Sequence, residues 1–511
     1  MAEFIYPYAS LGTLISLVIW FWRVLKGRST LLANIFFWGC ILLYIGTVFF
    51  SQGTFVYKLL WVLPRDIVIF IAVALISNNL KNAKGFWLLA LISGGIIYFF
   101  YFNTLATTFT TTDAKEEVDA SAELLFDIKN PQQLAQLKKQ LAAYDLTIEK
   151  AFPDLQHPEY SNLEEYYAVD IPEKNEDDLE EILEALQASG LVDWVERNEI
   201  VALGPIEEGV APQRDTNYGL NDPGLGKLWT FKKMQMDRFY PHIKKLKPRK
   251  KATVAILDTG VDAQHEDLKG NYTSTNTRYD RDAQGHGTHC AGVAGAVANN
   301  KKGIAAFSPN NRFVQITSIK VLNDFGFGSQ RSIIKGIITA ADRKVDVISM
   351  SLGGRSDAKS KRAYEEAIRY ANKAGAIVVV AAGNESTNAT KVSPANCKGV
   401  ITVAAVDEAL QKAKFSNEVN DVAMGIAAGG VNIYATFPKN QYKALNGTSM
   451  ATPAVAGLIG LLKALKPSLT TKEAYEILKT TGVDTQSTSQ TGKFIQPLAA
   501  VKRLQSKRLL R

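Results

Sequence analysis

Cysteine is scarce in this chain, with 3 among 511 residues. Cys40 stands in a strongly apolar block, Cys290 follows a histidine, and Cys397 lies in a predicted loop. Such scattered cysteines do not indicate a disulfide framework.

Two further absences limit the partners that we expect. No base-stacking motif accompanies the basic segments, of which residues 244–251, KKLKPRKK, are the strongest, so we expect no nucleic-acid partner. That segment equally fits a solvated face or contact with anionic lipid. No positive charge precedes the first apolar block, and further blocks follow it, so a cleaved signal peptide is not expected.

Long apolar blocks dominate residues 1–112 and predict a transmembrane anchor. Four blocks are present: residues 8–25, residues 31–50, one ending near residue 76, and residues 85–102. Blocks of about 18 to 20 apolar residues can span a bilayer as helices. Arg65 and Asp66 interrupt the third block, so three spans are the alternative to four.

Basic residues in the short loops predict the orientation. The first and third loops carry 5 Lys and Arg, and the second carries 2, which places the first and third loops in the cytoplasm. With four spans, everything after the anchor lies outside the cytoplasm. With three spans it lies on the opposite side.

Residues 113–205 predict a small separate domain. Strand candidates and helix candidates follow one another in the order β-α-β-β-α-β, which is typical of a ferredoxin-like α+β sandwich. The strand candidates are residues 123–128, 146–152, 166–171 and 192–203, and the helix candidates are residues 131–143 and 177–189.

Charge separates this small domain from the rest. It holds 7 basic and 23 acidic residues, a net charge of −16, whereas residues 206–511 have a net charge of +19. Complementary fields on tethered domains favour docking of one on the other. The alternative is that each charge only keeps its own domain soluble.

Three short strings carry the chemistry: AILDTGV ending at Val261, GHGTHCAG from Gly285, and NGTSMATP from Asn446. They contain Asp258 after an apolar strand, His286 at a helix start, and Ser449 at a second helix start. Taken singly, such residues are usually a turn residue, a structural histidine and a helix cap. Taken together, they predict nucleophilic acyl transfer, since a serine hydroxyl needs a base to accept its proton.

These strings resemble the three active-site motifs of the subtilisin-like serine proteases, or subtilases, whose chain order Asp, His, Ser they match. The resemblance implies that Asp258 orients His286, that His286 acts as general base and then general acid, and that Ser449 is the nucleophile. Asn384, after the valine-rich run AIVVVAAG, matches the side-chain donor of the oxyanion hole. His289 is then expected to be structural.

The same resemblance implies where a substrate binds. The string Ser351, Leu352, Gly353, Gly354 matches the segment that, in subtilases, pairs with the substrate backbone as an added strand. Main-chain pairing does not read side chains, so we expect an endopeptidase of broad specificity. The position of Cys290 resembles the thiol-containing branch that includes thermitase and proteinase K.

A possible structural calcium site is also implied by the resemblance, and no cofactor is expected to be required for catalysis. Oxygen ligands suit a hard cation, and ordinary polar loops are the alternative. The positions that match calcium ligands are Asp222, Asp267, Val297, Asn300 and Ile304.

Apolar strands alternate with helices through the catalytic region. Strands are predicted at residues 253–257, 314–321, 345–351, 377–382 and 400–406, and helices at 288–298, 332–343 and 358–373. This alternation predicts an α/β fold with a parallel sheet covered on both faces and a cleft at the carboxyl ends of the strands.

The sequence therefore predicts four parts: an anchor at residues 1–112, a domain resembling the inhibitory prodomain of subtilases at 113–205, a linker at 206–220, and a subtilisin-like protease domain at 221–505. For residues 113–205, an ordinary spacer or a ligand-sensing domain is the alternative. We expect a membrane-anchored zymogen that cuts its own linker between about residues 204 and 218. Its partners are peptide or protein substrates, its own prodomain and the bilayer. The alternative is a catalytically silent membrane sensor or peptide-binding assembly protein.

Overall fold

The computed structural model describes residues 122–128, 130–204, 206–214, 218–356 and 361–506, all within one compact unit, Asp113–Arg511. The predicted anchor at residues 1–112 lies outside the described residues. Among the described residues, one helix is long and apolar enough to cross a membrane, Thr448–Leu465, and 89% of it is buried inside the protein.

The small domain is a four-stranded antiparallel sheet with two helices. Its elements are β1 (Leu124–Ile128), α1 (Leu134–Gln140), β2 (Thr147–Lys150), β3 (Tyr166–Asp170), α2 (Leu179–Ala188) and β4 (Val192–Arg197). The sheet order β2-β3-β1-β4 has the predicted β-α-β-β-α-β succession. The last predicted strand, residues 192–203, is two strands, because β4 ends at Arg197 and β5 (Ile200–Ala202) belongs to a different sheet.

The larger domain follows and contains the remaining elements. They are β6 (Glu207–Glu208), α3 (Trp229–Lys233), α4 (Met236–Ile243), β7 (Ala252–Asp258), α5 (His286–Gly295), β8 (Val314–Lys320), β9 (Phe327–Ser329), α6 (Gln330–Asp342), β10 (Val347–Met350), β11 (Gly354–Arg355), α7 (Arg362–Lys373), β12 (Ile377–Ala381), β13 (Val392–Ser393), β14 (Val400–Val406), β15 (Gly425–Gly429), β16 (Ile433–Phe437), β17 (Gln441–Asn446), α8 (Thr448–Leu465), α9 (Thr471–Thr481), α10 (Thr488–Thr491) and α11 (Pro497–Gln505).

A parallel sheet of six strands, in the order β15-β14-β12-β10-β7-β8, forms the centre of this domain. The predicted parallel sheet is thus confirmed, with one strand more than expected. The extra strand is β15, whose sequence GIAAG contains no β-branched residue but Ile426 and so carries a weak strand signal.

Alternate residues of the strands enter two separate hydrophobic cores. Val254 and Ile256 of β7 belong to the core that also holds α5 and α8, whereas Ala255 and Leu257 belong to the core that holds α6 and α7. The sheet is therefore covered by helices on both faces, as parallel strands require.

The small domain packs on the outer side of α6 and α7. One face of its sheet is covered by α1 and α2, while Leu125 and Tyr166 on the other face join the core that contains α6 and α7. Glu196 accepts the backbone N–H groups of Arg362 and Ala363 at the first turn of α7, at 3.2 and 2.8 Å. A carboxylate in this place satisfies free helix N–H groups and complements the helix dipole.

Candidate active site

Asp258 and His286 meet at the carboxyl end of the parallel sheet. Asp258 is the last residue of β7, and His286 is the first residue of α5, after Gly285 with φ 99°. The Nδ1 atom of His286 lies 2.9 Å from each carboxylate oxygen of Asp258. Both side chains are buried, and the contact fixes one ring nitrogen of His286 toward the carboxylate.

Burial alone would lower the pKa of His286, because it penalises the charged imidazolium. The carboxylate of Asp258 outweighs this effect, and the pKa of His286 lies above its ordinary value. The ring is therefore a stronger base than a free histidine.

Ser449 stands in the first turn of α8, directly after Gly447 and Thr448. Gly447 has φ 150°, in the region that favours glycine, and its backbone lies beside the side chain of Asn384. The Ser449 hydroxyl donates to the carbonyl oxygen of Ser351 at 3.1 Å, and the Ser351 hydroxyl donates to the carbonyl oxygen of Ser449 at 2.8 Å. The helix start brings free backbone N–H groups and a positive dipole end to this serine.

Asn384 follows β12 and lies in the cleft with Ser449. Its Oδ1 accepts both the N–H and the hydroxyl of Thr448, each at 2.9 Å. With Oδ1 held in this way, the Nδ2 group is left to donate, which is the function that an oxyanion hole needs.

The predicted substrate-binding string is divided between two places. Ser351, Leu352 and Gly353 line the cleft with Ser449, whereas Gly354 belongs to β11 and pairs with Ser393. A Cβ atom at Gly354 would lie 3.5 Å from the Cγ2 atom of Val201. The backbone around Gly354 therefore faces a segment of the chain itself.

That segment crosses the cleft from one side to the other. On one side β5 pairs antiparallel with β9, and the N–H of Leu203 donates to the carbonyl oxygen of Gly326 at 2.9 Å. Gly204 lines the same cleft as Ser449, and on the far side Glu207 pairs with Asn446 of β17. The start of the predicted linker is thus hydrogen-bonded across the site, a feature that its polar sequence did not indicate.

A second buried carboxylate, Asp282, stands next to the pair and was not identified from the sequence. It accepts hydrogen bonds from Thr259 in the Asp258 string and from Gly285 and Thr288 in the His286 string. Its position four residues before His286, in DAQGH, was the available signal.

Two neighbours of His286 on α5 have contacts of a different kind. The Nε2 atom of His289 lies 2.9 Å from the carbonyl oxygen of Ile433, and burial, together with the nearby charge of His286, lowers the pKa of His289 to about 3. The thiol of Cys290 donates to the carbonyl oxygen of Ser449 at 3.4 Å and lies 4.0 Å from Nδ1 of His286.

The residues predicted to bind calcium do come together. Both oxygens of Asp222 accept backbone N–H groups, from residues 299 and 300, and Asn300 Nδ2 donates to Asp267 at 2.7 Å. Val297 and Ile304 contact Asp267 through their N–H groups, at 2.9 Å to its carbonyl oxygen and 2.8 Å to its carboxylate.

Negative charge accumulates at this place. Burial, with Asp222 and Glu266 adding their charges, raises the pKa of Asp267 to about 7. The two buried carboxylates are donors that suit a hard cation, and Asn300, whose NH₂ group now faces Asp267, offers its oxygen there only when its amide is turned over.

The larger domain is similar in sequence to known serine proteases. Residues 249–496 match the model of the subtilase family. Subtilisin DY from Bacillus licheniformis is 38% identical over 246 residues, which cover 47% of this chain and 86% of that protein. Thermitase from Thermoactinomyces vulgaris is 42% identical over 216 residues, covering 41% of this chain and 74% of thermitase. The intracellular serine protease of Paenibacillus polymyxa is 37% identical over 270 residues, covering 49% and 80%.

Proposed function

Since this chain belongs to the subtilase family and is a serine endopeptidase, we propose that Asp258, His286 and Ser449 carry its reaction. The observation that supports this best is the contact of His286 Nδ1 with both oxygens of Asp258, in the cleft that Ser449 and Asn384 line.

Acylation follows from these positions. The Ser449 hydroxyl turns from the carbonyl of Ser351 toward the free ring nitrogen of His286, which accepts its proton as the oxygen attacks the scissile carbonyl. Asp258 keeps the other ring nitrogen as N–H and stabilises the imidazolium. The imidazolium then donates its proton to the leaving amine, and water repeats the sequence to release the acyl group.

The tetrahedral oxyanion receives two hydrogen bonds in this proposal. The backbone N–H of Ser449 supplies one, at the start of α8, and Nδ2 of Asn384 supplies the other. The hydrogen bonds from Thr448 to Oδ1 keep the amide of Asn384 from rotating. Donors held in advance stabilise developing charge without reorganisation.

Substrates bind, in our proposal, as an extended strand where the chain's own segment lies. The partners are β9 on one side and Ser351 to Gly353 on the other, so main-chain hydrogen bonds provide most of the contact. Broad endopeptidase specificity is the expected consequence.

Labelling with a serine-directed phosphonate tests the proposal. The processed wild-type protein should be labelled at Ser449, and His286→Ala protein whose linker has been cut by added wild-type enzyme should not be labelled, because no base accepts the serine proton. His242→Ala, on α4 with its ring bonded to Gln505, is the matched control and should be labelled normally. Absence of label in the processed wild-type protein would favour the silent peptide-binding protein instead.

We further propose that the protein is made as a membrane-anchored zymogen. The apolar blocks of residues 1–112 support the anchor, and the loop charges support a protease outside the cytoplasm. The docked small domain and the segment that occupies the cleft support inhibition before processing. Cleavage between residues 204 and 218 would separate the protease from its anchor.

Cell fractionation tests this second proposal. Wild-type protein should yield a shorter, membrane-free form, while Ser449→Ala should remain full length and sediment with membranes. Equal size and equal membrane association of the two proteins would contradict it.

Finally, we propose that Asp222, Asp267 and Asn300 hold a structural calcium ion. The ion would supply positive charge to buried carboxylates and would fix the loop of residues 299–304 against the start of the domain. No catalytic step depends on it.

A further inference from the structure

Asp282 is a buried carboxylate, 6% exposed. It contacts the residue that follows Asp258 in the sequence and residues on either side of His286. Its Oδ1 accepts the N–H of Gly285 at 2.8 Å and the hydroxyl of Thr259 at 2.9 Å. Its Oδ2 accepts the N–H and the hydroxyl of Thr288, at 2.8 and 2.7 Å. Asp282 therefore joins the turn after β7 to the first turn of α5.

The four donors match the ionised form of this carboxylate. A carboxylate offers about four lone-pair sites, and two of the donors are backbone N–H groups that can only donate. A protonated Asp282 could not accept all four hydrogen bonds. An amide in its place would turn its NH₂ group toward either Gly285 or the N–H of Thr288, whichever way it is oriented.

Thr259 connects Asp282 to Asp258 through hydrogen bonds. Its hydroxyl lies closer to Asp282, at 2.9 Å, than to Asp258, at 3.3 Å, so its single proton belongs with Asp282. The same oxygen accepts the N–H of Gly287 at 3.1 Å, and the N–H of Thr259 donates to Asp258 at 2.8 Å. One threonine thus connects Asp282, Asp258 and the residue after His286.

Other charged and titratable groups lie beside Asp282 and Thr259. They are His286 on α5, Asp258 at the end of β7, and Lys320 of β8, which donates to the carbonyl oxygen of Thr259 at 2.7 Å and pairs with Asp324. Asp258 is the second carboxylate, and burial followed by its charge raises the pKa of Asp282. The hydrogen bonds from Gly285 and Thr288 act in the opposite direction.

We propose that Asp282 is a positioning residue for the catalytic pair: it holds Asp258 and His286 in register through Thr259 and Thr288. By holding Asp258 in place, it supports the imidazolium that forms when Ser449 attacks. This inference rests on the proposed roles of Asp258, His286 and Ser449.

Steady-state kinetics of Asp282→Asn in the processed protein test it. We expect kcat to fall by about 10- to 100-fold, by analogy with the loss of a residue that orients a metal-binding histidine, with KM nearly unchanged. The acid limb of the kcat/KM profile should move to lower pH, since a displaced Asp258 would raise the pKa of His286 less. A purely structural role would not shift that limb.

Asp280→Asn is the matched control. This aspartate is two residues away and bonds to Tyr272 and Ser274, so kinetics should stay at the wild-type level. If Asp282→Asn does not fold, Thr259→Val tests the same connection without a change of charge. It should lower kcat by more than its loss of melting temperature accounts for, and it should move the acid limb in the same direction as Asp282→Asn.

The outcomes are separable. Wild-type kcat and an unshifted limb in folded Asp282→Asn, or wild-type kcat in Thr259→Val when only that variant folds, would overturn the inference. Failure of the proposed function itself appears differently, as a processed wild-type protein that neither reacts with the phosphonate nor hydrolyses peptide.

Discussion

Two histidines, three residues apart on α5, show how contacts decide the state of a side chain. His286 has the carboxylate of Asp258 at 2.9 Å and a raised pKa, whereas His289 has carbonyl partners and a pKa of about 3. Both are buried, so burial alone would lower the pKa of each. The anionic partner makes only His286 suitable as a base.

A pH dependence follows from the raised pKa of His286. The base must be neutral to accept the serine proton, so kcat/KM should increase with pH through a midpoint above 6.5, the ordinary value for histidine. Asp258→Asn should move this midpoint down and lower kcat by up to about 10⁴-fold, because the imidazolium loses its partner and the ring its fixed tautomer. A midpoint that stays in place in a folded variant would contradict the pairing.

Asn384 permits a second prediction at this scale. Asn384→Ala should lower kcat by about 100- to 1,000-fold with little change in KM, since the amide acts only on the oxyanion; the size is the one known for such a donor in subtilisin, a relative of this chain. Asn388→Ala, on an exposed turn of the same loop, is the control. An unchanged kcat in Asn384→Ala would remove this residue from the oxyanion hole.

At the scale of elements, the strand pairings β5 with β9 and β6 with β17 place Leu203, Gly204 and Glu207 in the same cleft as the nucleophile. The range proposed for self-cleavage, residues 204–218, therefore begins in the segment that lies in the cleft. Proline 205 follows Gly204 in the sequence. Its nitrogen carries a ring instead of a proton, and the residue before proline is restricted as well, which hinders attack at this bond.

Pro205→Ala should therefore make self-processing faster and should create a new N-terminus at residue 205. Pulse-chase labelling with N-terminal sequencing measures both. Pro212→Ala, in the same linker, is the control and should process at the wild-type rate. The same rate and the same N-terminus in Pro205→Ala and the wild type would show that the bond after Gly204 is not the one held at Ser449.

At the scale of the whole molecule, two domains of opposite charge share one hydrophobic core. Ion pairs cross between them, among them Arg331 with Glu149 and Arg362 with Asp127. The charge difference indicated docking, and the structure places the contact on α6 and α7, away from the cleft. Among the described residues of the small domain, Ala202, Leu203 and Gly204 line the cleft of the catalytic residues.

Calcium provides a prediction for the stability of the whole domain. Because the pKa of Asp267 is raised from 3.8 to about 7, its ionisation destabilises the ion-free fold as pH rises between these values. At pH 7, calcium at about 100 times its Kd should raise the melting temperature by about 5–10 °C, and the same calcium concentration should raise it less at pH 5. Asp267→Asn should abolish this increase, while Asp421→Asn, at an exposed site, should retain it; a calcium effect that survives Asp267→Asn would place the ion elsewhere.

The sequence by itself determined the parallel sheet, the family motifs and the charge contrast, because each depends on local pattern: apolar runs of strand length, glycine-rich turns and residue counts. It did not reveal β15, whose short glycine and alanine sequence resembles a loop. It also left Asp282 unassigned, since an aspartate before a turn usually has no distant partner.

Tertiary structure alone decided which groups meet. The carboxyl ends of parallel strands gather Asp258, Asn384 and Ser351 from distant parts of the chain, and the first turn of α8 adds Ser449. The positions of residues 200–204 and 207–208 at the cleft depend on hydrogen bonds to β9 and β17, which are more than a hundred residues away in sequence. Long-range pairing of this kind leaves no periodic signal in the segment that is paired.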